Sequence, residues 1–167
     1  SDVYKRQLTM APSDSGDDDN RVRLRAESVS DVEVISALLQ DAIIPGEDMT
    51  YDRAGRRFVM VANRFCWDRR PLAGVTSETG APIYERRLCG VRIEGVNAVE
   101  AAGMPVTRRG ALFNLLAITV ADAADVRVEF LFSDGVSLRL SVDGISILAE
   151  DLDDGRPTSV MPAHDRA

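Results

Sequence analysis

Histidine, lysine and cysteine are nearly missing from this chain. Its 167 residues hold one histidine, His164, one lysine, Lys5, and two cysteines, Cys66 and Cys89. A catalytic imidazole must be held within reach of its partner, and a residue this close to the end is not. Ser-His-Asp and Cys-His arrangements therefore lack a base. Two cysteines make no disulfide framework, and each sits in an apolar stretch, so both read as core thiols. Aromatic residues make up 5% of the chain, too few for nucleic-acid recognition by stacked bases. No apolar run approaches the ~20 residues of a membrane span, and the first residues lack the pattern of a secretory signal. Neither a Gly-x-Gly-x-x-Gly nor a Gly-Lys-Ser/Thr loop occurs. The acidic clusters Asp17–Asp19 and Glu150–Asp154 lack the spacing of a calcium loop and read as solvated tails. These absences lead to the expectation of a cytoplasmic, noncatalytic protein with no cofactor and no metal site.

What is present is charge, unevenly placed. The net charge is −7 and the isoelectric point about 4.7, a poor profile for binding nucleic acid. Yet residues 53–109 carry eleven arginines against five acids, a net of +6. Two readings follow: the basic segment folds against its acidic flanks, or part of it forms an anion site.

Residues 1–20 are read as a disordered segment outside the domain. Ser13–Asn20 is an acidic run that cannot bury apolar surface, and the opening Ser1–Gln7 resembles translated adapter sequence. Residues 21–152 are read as a single domain and 153–167 as a loose acidic tail. Val22, Leu24 and Ala26 alternate with arginines, which predicts a short strand. Ser30 with Glu33 resembles a capping box. Val32, Ile35, Leu38, Leu39, Ala42 and Ile43 follow at helical spacing, up to Pro45-Gly46.

The period then becomes two. Strands are predicted over Met49–Asp52, Arg57–Trp67, Ile83–Glu94, Val96–Ala101 and Leu112–Val120. Asp68–Pro82 is a long loop, expected to be the most mobile segment. Val126–Phe132 and Val136–Val142 alternate strictly around Ser133-Asp134-Gly135, a hairpin turn signal. A further strand is expected at Ile145–Ala149, after a bulge at Gly144. If a hairpin spans the long loop, positions summing to about 150 face each other. Cys66 then opposes Tyr84 and Cys89 opposes Val61, beyond the reach of a disulfide. The pattern predicts an α+β domain: a mainly antiparallel twisted sheet or half-barrel of about seven strands, with one amphipathic helix packed on it.

The candidate binding residues are Asn63, Arg64, Trp67, Arg69, Arg70, Arg86 and Arg87. Arg64 lies on a face otherwise made of Phe58, Met60, Ala62 and Cys66. It must therefore pair internally, with Asp41 or backbone carbonyls, or open onto a cleft and receive an anion or acidic peptide. Trp67 and its neighbours are of the types enriched at interfaces.

Several blocks taken in order resemble a known family. They include Ser36–Ala42, Arg57-Phe58, Asn63–Trp67, Glu85-Arg86-Arg87, Leu115–Ile118, Phe132–Gly135, Glu150-Asp151-Leu152 and Pro162–Asp165. Together they resemble the alphaproteobacterial domain-of-unknown-function family catalogued as 2948. That resemblance implies a small bacterial protein and carries over no catalytic residue or cofactor. The expected function is a noncatalytic interaction domain acting through a sheet face and the 68–82 loop. Its partner would be a protein or a second copy. The alternative is a small-anion or nucleotide-binding protein using the arginine-rich 53–109 segment.

Overall fold

The computed structural model describes residues 21–66, 84–122, 125–153 and 155–158. Strand β1 (Arg23–Ala26) leads into helix α1 (Val29–Leu39). The helix begins two residues earlier than the Ser30/Glu33 pattern predicts. Ser28 is the cap: its Oγ accepts from Asp31 N at 3.2 Å, and Asp31 Oδ2 accepts from Glu27 N at 3.0 Å. Ser28 thus satisfies a first-turn amide, and Asp31 reaches back to the amide of the residue ahead of the cap, a variant of the capping box. Val32, Ile35 and Leu39 form the buried face, packed on the sheet. The helix stops at Leu39, short of the predicted Ile43. Asp41 adopts a left-handed conformation (φ 65°) and its N–H bonds to Leu115 O at 2.8 Å. Ile43 belongs instead to β2 (Ile43–Pro45). A short 3-10 turn, Gly46–Asp48, then leads into β3 (Met49–Asp52).

The remaining strands are β4 (Arg57–Phe65), β5 (Tyr84–Glu94), β6 (Val96–Ala102), β7 (Leu112–Asp122), β8 (Val126–Phe132), β9 (Ser137–Val142), β10 (Ile147–Asp151) and β11 (Arg156–Thr158). The described residues therefore form eleven strands rather than about seven. The strands not foreseen are β2 and β11, three residues each, too short for alternation to register. One of them, β11, pairs with β5 in the stretch read as a loose tail.

All pairings are antiparallel, in the order β1-β10-β5-β4-β2-β7-β8-β9-β6, with β3 also on β4. The fold is α+β with one helix on an open antiparallel sheet. Alternate residues of β4 (Phe58, Met60, Ala62) and β8 (Val128, Phe130, Phe132) fill one core with the helix, as period-two patterning requires. β4 and β5 pair one position away from the expected register: Ala62, not Val61, faces Cys89. Both cysteines are buried and free. The predicted turn at Ser133–Gly135 forms, with Asp134 at φ 64° and Gly135 at φ 73°. The bulges fall between Val96 and Ala98 and between Leu115 and Ala117 rather than at Gly144.

Two connections set up the functional geometry. Gly95 (φ 68°) turns the chain out of β5, so that β6 leaves its neighbour and pairs with β9 on the other half of the sheet. β3 pairs with β4 alone, and β6 with β9 alone. Each strand thus keeps one unpaired edge among the described residues.

Candidate functional site

Of the residues predicted to form a ligand site, the described ones divide between the interior and the half-buried sheet: Arg64 and Arg87 are buried, Asn63 and Arg86 half-buried. Trp67, Arg69 and Arg70, with the 68–82 loop, lie outside the described residues. Arg64 is wholly enclosed, at 0% exposure. Its Nε donates to Asp151 Oδ1 and its Nη2 to Asp151 Oδ2, both at 2.8 Å. Arg87 is buried beside it, with Nη1 3.5 Å from Asp151 Oδ2 and Nη2 3.2 Å from Glu85 Oε1. Asp151 Oδ2 also accepts from Val22 N at 2.9 Å. The two-pronged fork is the strong geometry for guanidinium on carboxylate. The carboxylate in this fork is Asp151, which belongs to a cluster read from the sequence as solvated tail. Arg86 lies 5.5 Å from the Phe65 ring centroid and donates to Asn63 O at 3.1 Å. Asn63 sits half-buried between β2 and β5. The Cys89 thiol is pushed up to about 12, chiefly by burial and then by the neighbouring Asp151 carboxylate. It is held as an unreactive thiol at neutral pH.

A cleft of about 720 Å³ opens elsewhere, between the unpaired edges of β3 and β6. Its floor is apolar, with Met49, Phe58, Met104 and Leu138. Tyr51 crosses one end: its Oη donates to Val96 O at 3.0 Å, and its ring stacks on Phe58 at 6.5 Å. The rim is cationic. Arg53 lies over the Tyr51 ring at 5.7 Å, and Arg108 and Arg109 face the cleft from the 3-10 turn Arg108–Gly110. That turn is seated on the Gly46–Asp48 turn, where Gly46 N donates to Ala111 O at 2.9 Å. A Cβ on Gly46 would strike the Arg108 carbonyl, so glycine is what allows the two turns to touch.

Five other arginines, Arg23, Arg56, Arg57, Arg92 and Arg139, each pair with a carboxylate. Arg53, Arg108 and Arg109 are exposed and make no ion pair among the described residues. Among the described residues Glu47 is the one acid on the cleft lining. At its Asn97 end the wall is braced: Asn97 Nδ2 donates to Asp143 Oδ1 at 2.8 Å, Arg56 Nη2 donates to Asn97 Oδ1 at 2.6 Å, and Arg56 pairs with Asp143. The Asn97 hydrogen bond and then Arg56 hold the Asp143 carboxyl below the usual carboxylate range.

Sequence reading did not single out the three rim arginines. All three fall inside the +6 segment, which was the available signal. Segment charge does not separate arginines that pair at home from those that do not. Among the described residues no group of three or more His, Cys, Asp or Glu side chains is placed to hold a metal ion. Nor is any helix there long and apolar enough to cross a membrane.

No curated protein and no solved structure matches the chain. The family model described as a protein of unknown function, DUF2948, matches residues 22–164, from the start of the domain to the lone histidine. With most of its length matched in this way, the chain belongs to the DUF2948 family.

Proposed function

We propose that the protein is a noncatalytic binding domain and that its ligand is an anion seated in the cleft between β3 and β6. The observation that carries this reading is that Arg53, Arg108 and Arg109 line one concave, apolar-floored site with a single acid, Glu47, on its described lining, and none of the three is in an ion pair among the described residues. Unpaired guanidinium groups over an apolar floor suit a ligand with an acidic group and an apolar body. The described hydrogen bonds of the cleft tie Tyr51 to a backbone carbonyl and Asn97 to Asp143 and Arg56. None joins a nucleophile to a base, so these groups hold a ligand rather than transform it.

Thermal unfolding with inorganic phosphate, citrate or adenosine diphosphate tests this reading. A ligand at ten times its dissociation constant stabilises the native state by about 1.4 kcal/mol. For a domain of this size that raises Tm by about 3–6 °C. The triple variant Arg53→Ala/Arg108→Ala/Arg109→Ala is expected to lose the rise while keeping its unliganded Tm, because its side chains stand in solvent. No rise with any of the three at millimolar concentration, together with no binding of an acidic peptide, removes the proposal. A rise with adenosine diphosphate alone favours the nucleotide reading, for which the Tyr51–Phe58 stack offers an aromatic surface.

A further inference from the structure

We infer that the anion taken by this cleft is the acidic side chain of an extended peptide, which joins β6 as an added strand. The inference rests on the cleft being the binding site and concerns only what occupies it. β6 is seven residues long and bonds to β9 on one side. On its other side no described strand pairs with it. Alternate residues of an antiparallel strand therefore point their N–H and C=O groups into the cleft. Such an edge is a template for another strand, and proteins usually guard it with several charges, a proline or an extreme shortness. β6 has one charged residue, Glu100, no proline, and three alanines. The other edge strands among the described residues, β1, β3 and β11, have three or four residues each.

The surroundings select the chemistry of the added strand. An extended peptide alternates its side chains between two faces. One set would descend onto Met49, Phe58, Met104 and Leu138, which asks for apolar residues. The rim offers Arg53, Arg108 and Arg109, which asks for carboxylates. This is strand addition, in which main-chain bonds supply affinity and alternate side chains supply specificity. A second copy of this chain fits less well. Pairing β6 with itself about a two-fold axis would bring both sets of three rim arginines to one seam, where like charges repel.

The test uses the full chain and a fluorescein-labelled octapeptide of alternating glutamate and valine. Fluorescence polarisation is expected to show binding that weakens about tenfold or more in the Arg53→Ala/Arg108→Ala/Arg109→Ala variant. The same loss is expected for a lysine–valine peptide and for a glutamate–valine peptide methylated on its backbone nitrogens. On the unaltered protein, the peptide is expected to slow amide hydrogen exchange within Asn97–Ala102, because a paired edge is protected. Equal binding of the methylated peptide, or unchanged exchange across β6, overturns the inference. So does protection of β6 that rises with protein concentration in the absence of peptide, which would assign the edge to a second copy. If phosphate, citrate or adenosine diphosphate raises Tm while the peptide leaves β6 unprotected, this inference falls and the anion-binding cleft stands. If none of these ligands binds, both fall.

Discussion

Arginine is the main basic residue of this chain, and what each guanidinium does depends on its burial. Arg64 and Arg87 are inside, where a charge is tolerated only with close counter-charges and satisfied donors. Asp151 supplies counter-charge to both, through the fork on Arg64 and the longer contact to Arg87. Arg53, Arg108 and Arg109 are outside and remain available to a ligand. The two sets are alike in the sequence and opposite in use. Burial also decides the cysteine chemistry. With its thiol pushed up to about 12, Cys89 stays protonated at pH 8, and its folded-state value lies above that of the free group. Treatment of the native protein with a thiol-reactive reagent at pH 8 is therefore expected to leave Cys89 unmodified. Modification follows only after denaturant is added, as mass spectrometry of the Cys89 peptide would show. Rapid labelling under native conditions would contradict the burial of this strand pair.

At the level of elements, the site depends on two short turns more than on any strand. The Gly46–Asp48 and Arg108–Gly110 turns press together, and Arg108 and Arg109 occupy the second of them. Gly46→Ala would drive a methyl group into the Arg108 carbonyl, a clash with backbone that only a shift of the turn relieves. The strain is expected to cost about 1–3 kcal/mol and to weaken ligand binding in the cleft, although residue 46 carries no charge. Chemical denaturation and ligand titration of the same variant would measure both effects. Stability lost with affinity unchanged would show that the turn does not position the arginines. The helix illustrates how element boundaries escape a reading by period. Ala42 and Ile43 continue the helical spacing, yet the Asp41–Leu115 backbone bond captures the chain for the sheet.

Across the whole molecule, Asp151 joins parts of the chain remote from one another. Its side chain holds Arg64 on β4, Arg87 on β5 and the backbone of Val22 ahead of β1. Its backbone N–H donates to Val22 O at 2.9 Å. Removing one partner of such a cluster strands the others, which typically costs about 3–5 kcal/mol. Asp151→Ala is expected to lower the unfolding free energy by that amount in urea titration. The neighbouring Glu150→Ala, whose carboxylate meets Arg23 at the surface, is expected to lose about 1 kcal/mol or less. Equal effects of the two substitutions would show that the buried fork does not act as a latch.

Local patterning along the chain determined the helix core, the β8–β9 hairpin with its Asp134-Gly135 turn, and the alternation of β4 and β5. Each follows from interactions between residues close in sequence, whose period or turn chemistry is written in the residues themselves. The same reading placed Asp151 in a solvated tail and passed over Arg53, Arg108 and Arg109. No local rule brings position 151 to position 64, or residues 53 and 109 to the lining of one cleft. Those meetings depend on which strands pair and which edges stay open. Tertiary structure alone decided which charges neutralise one another inside and which remain exposed without an ion pair.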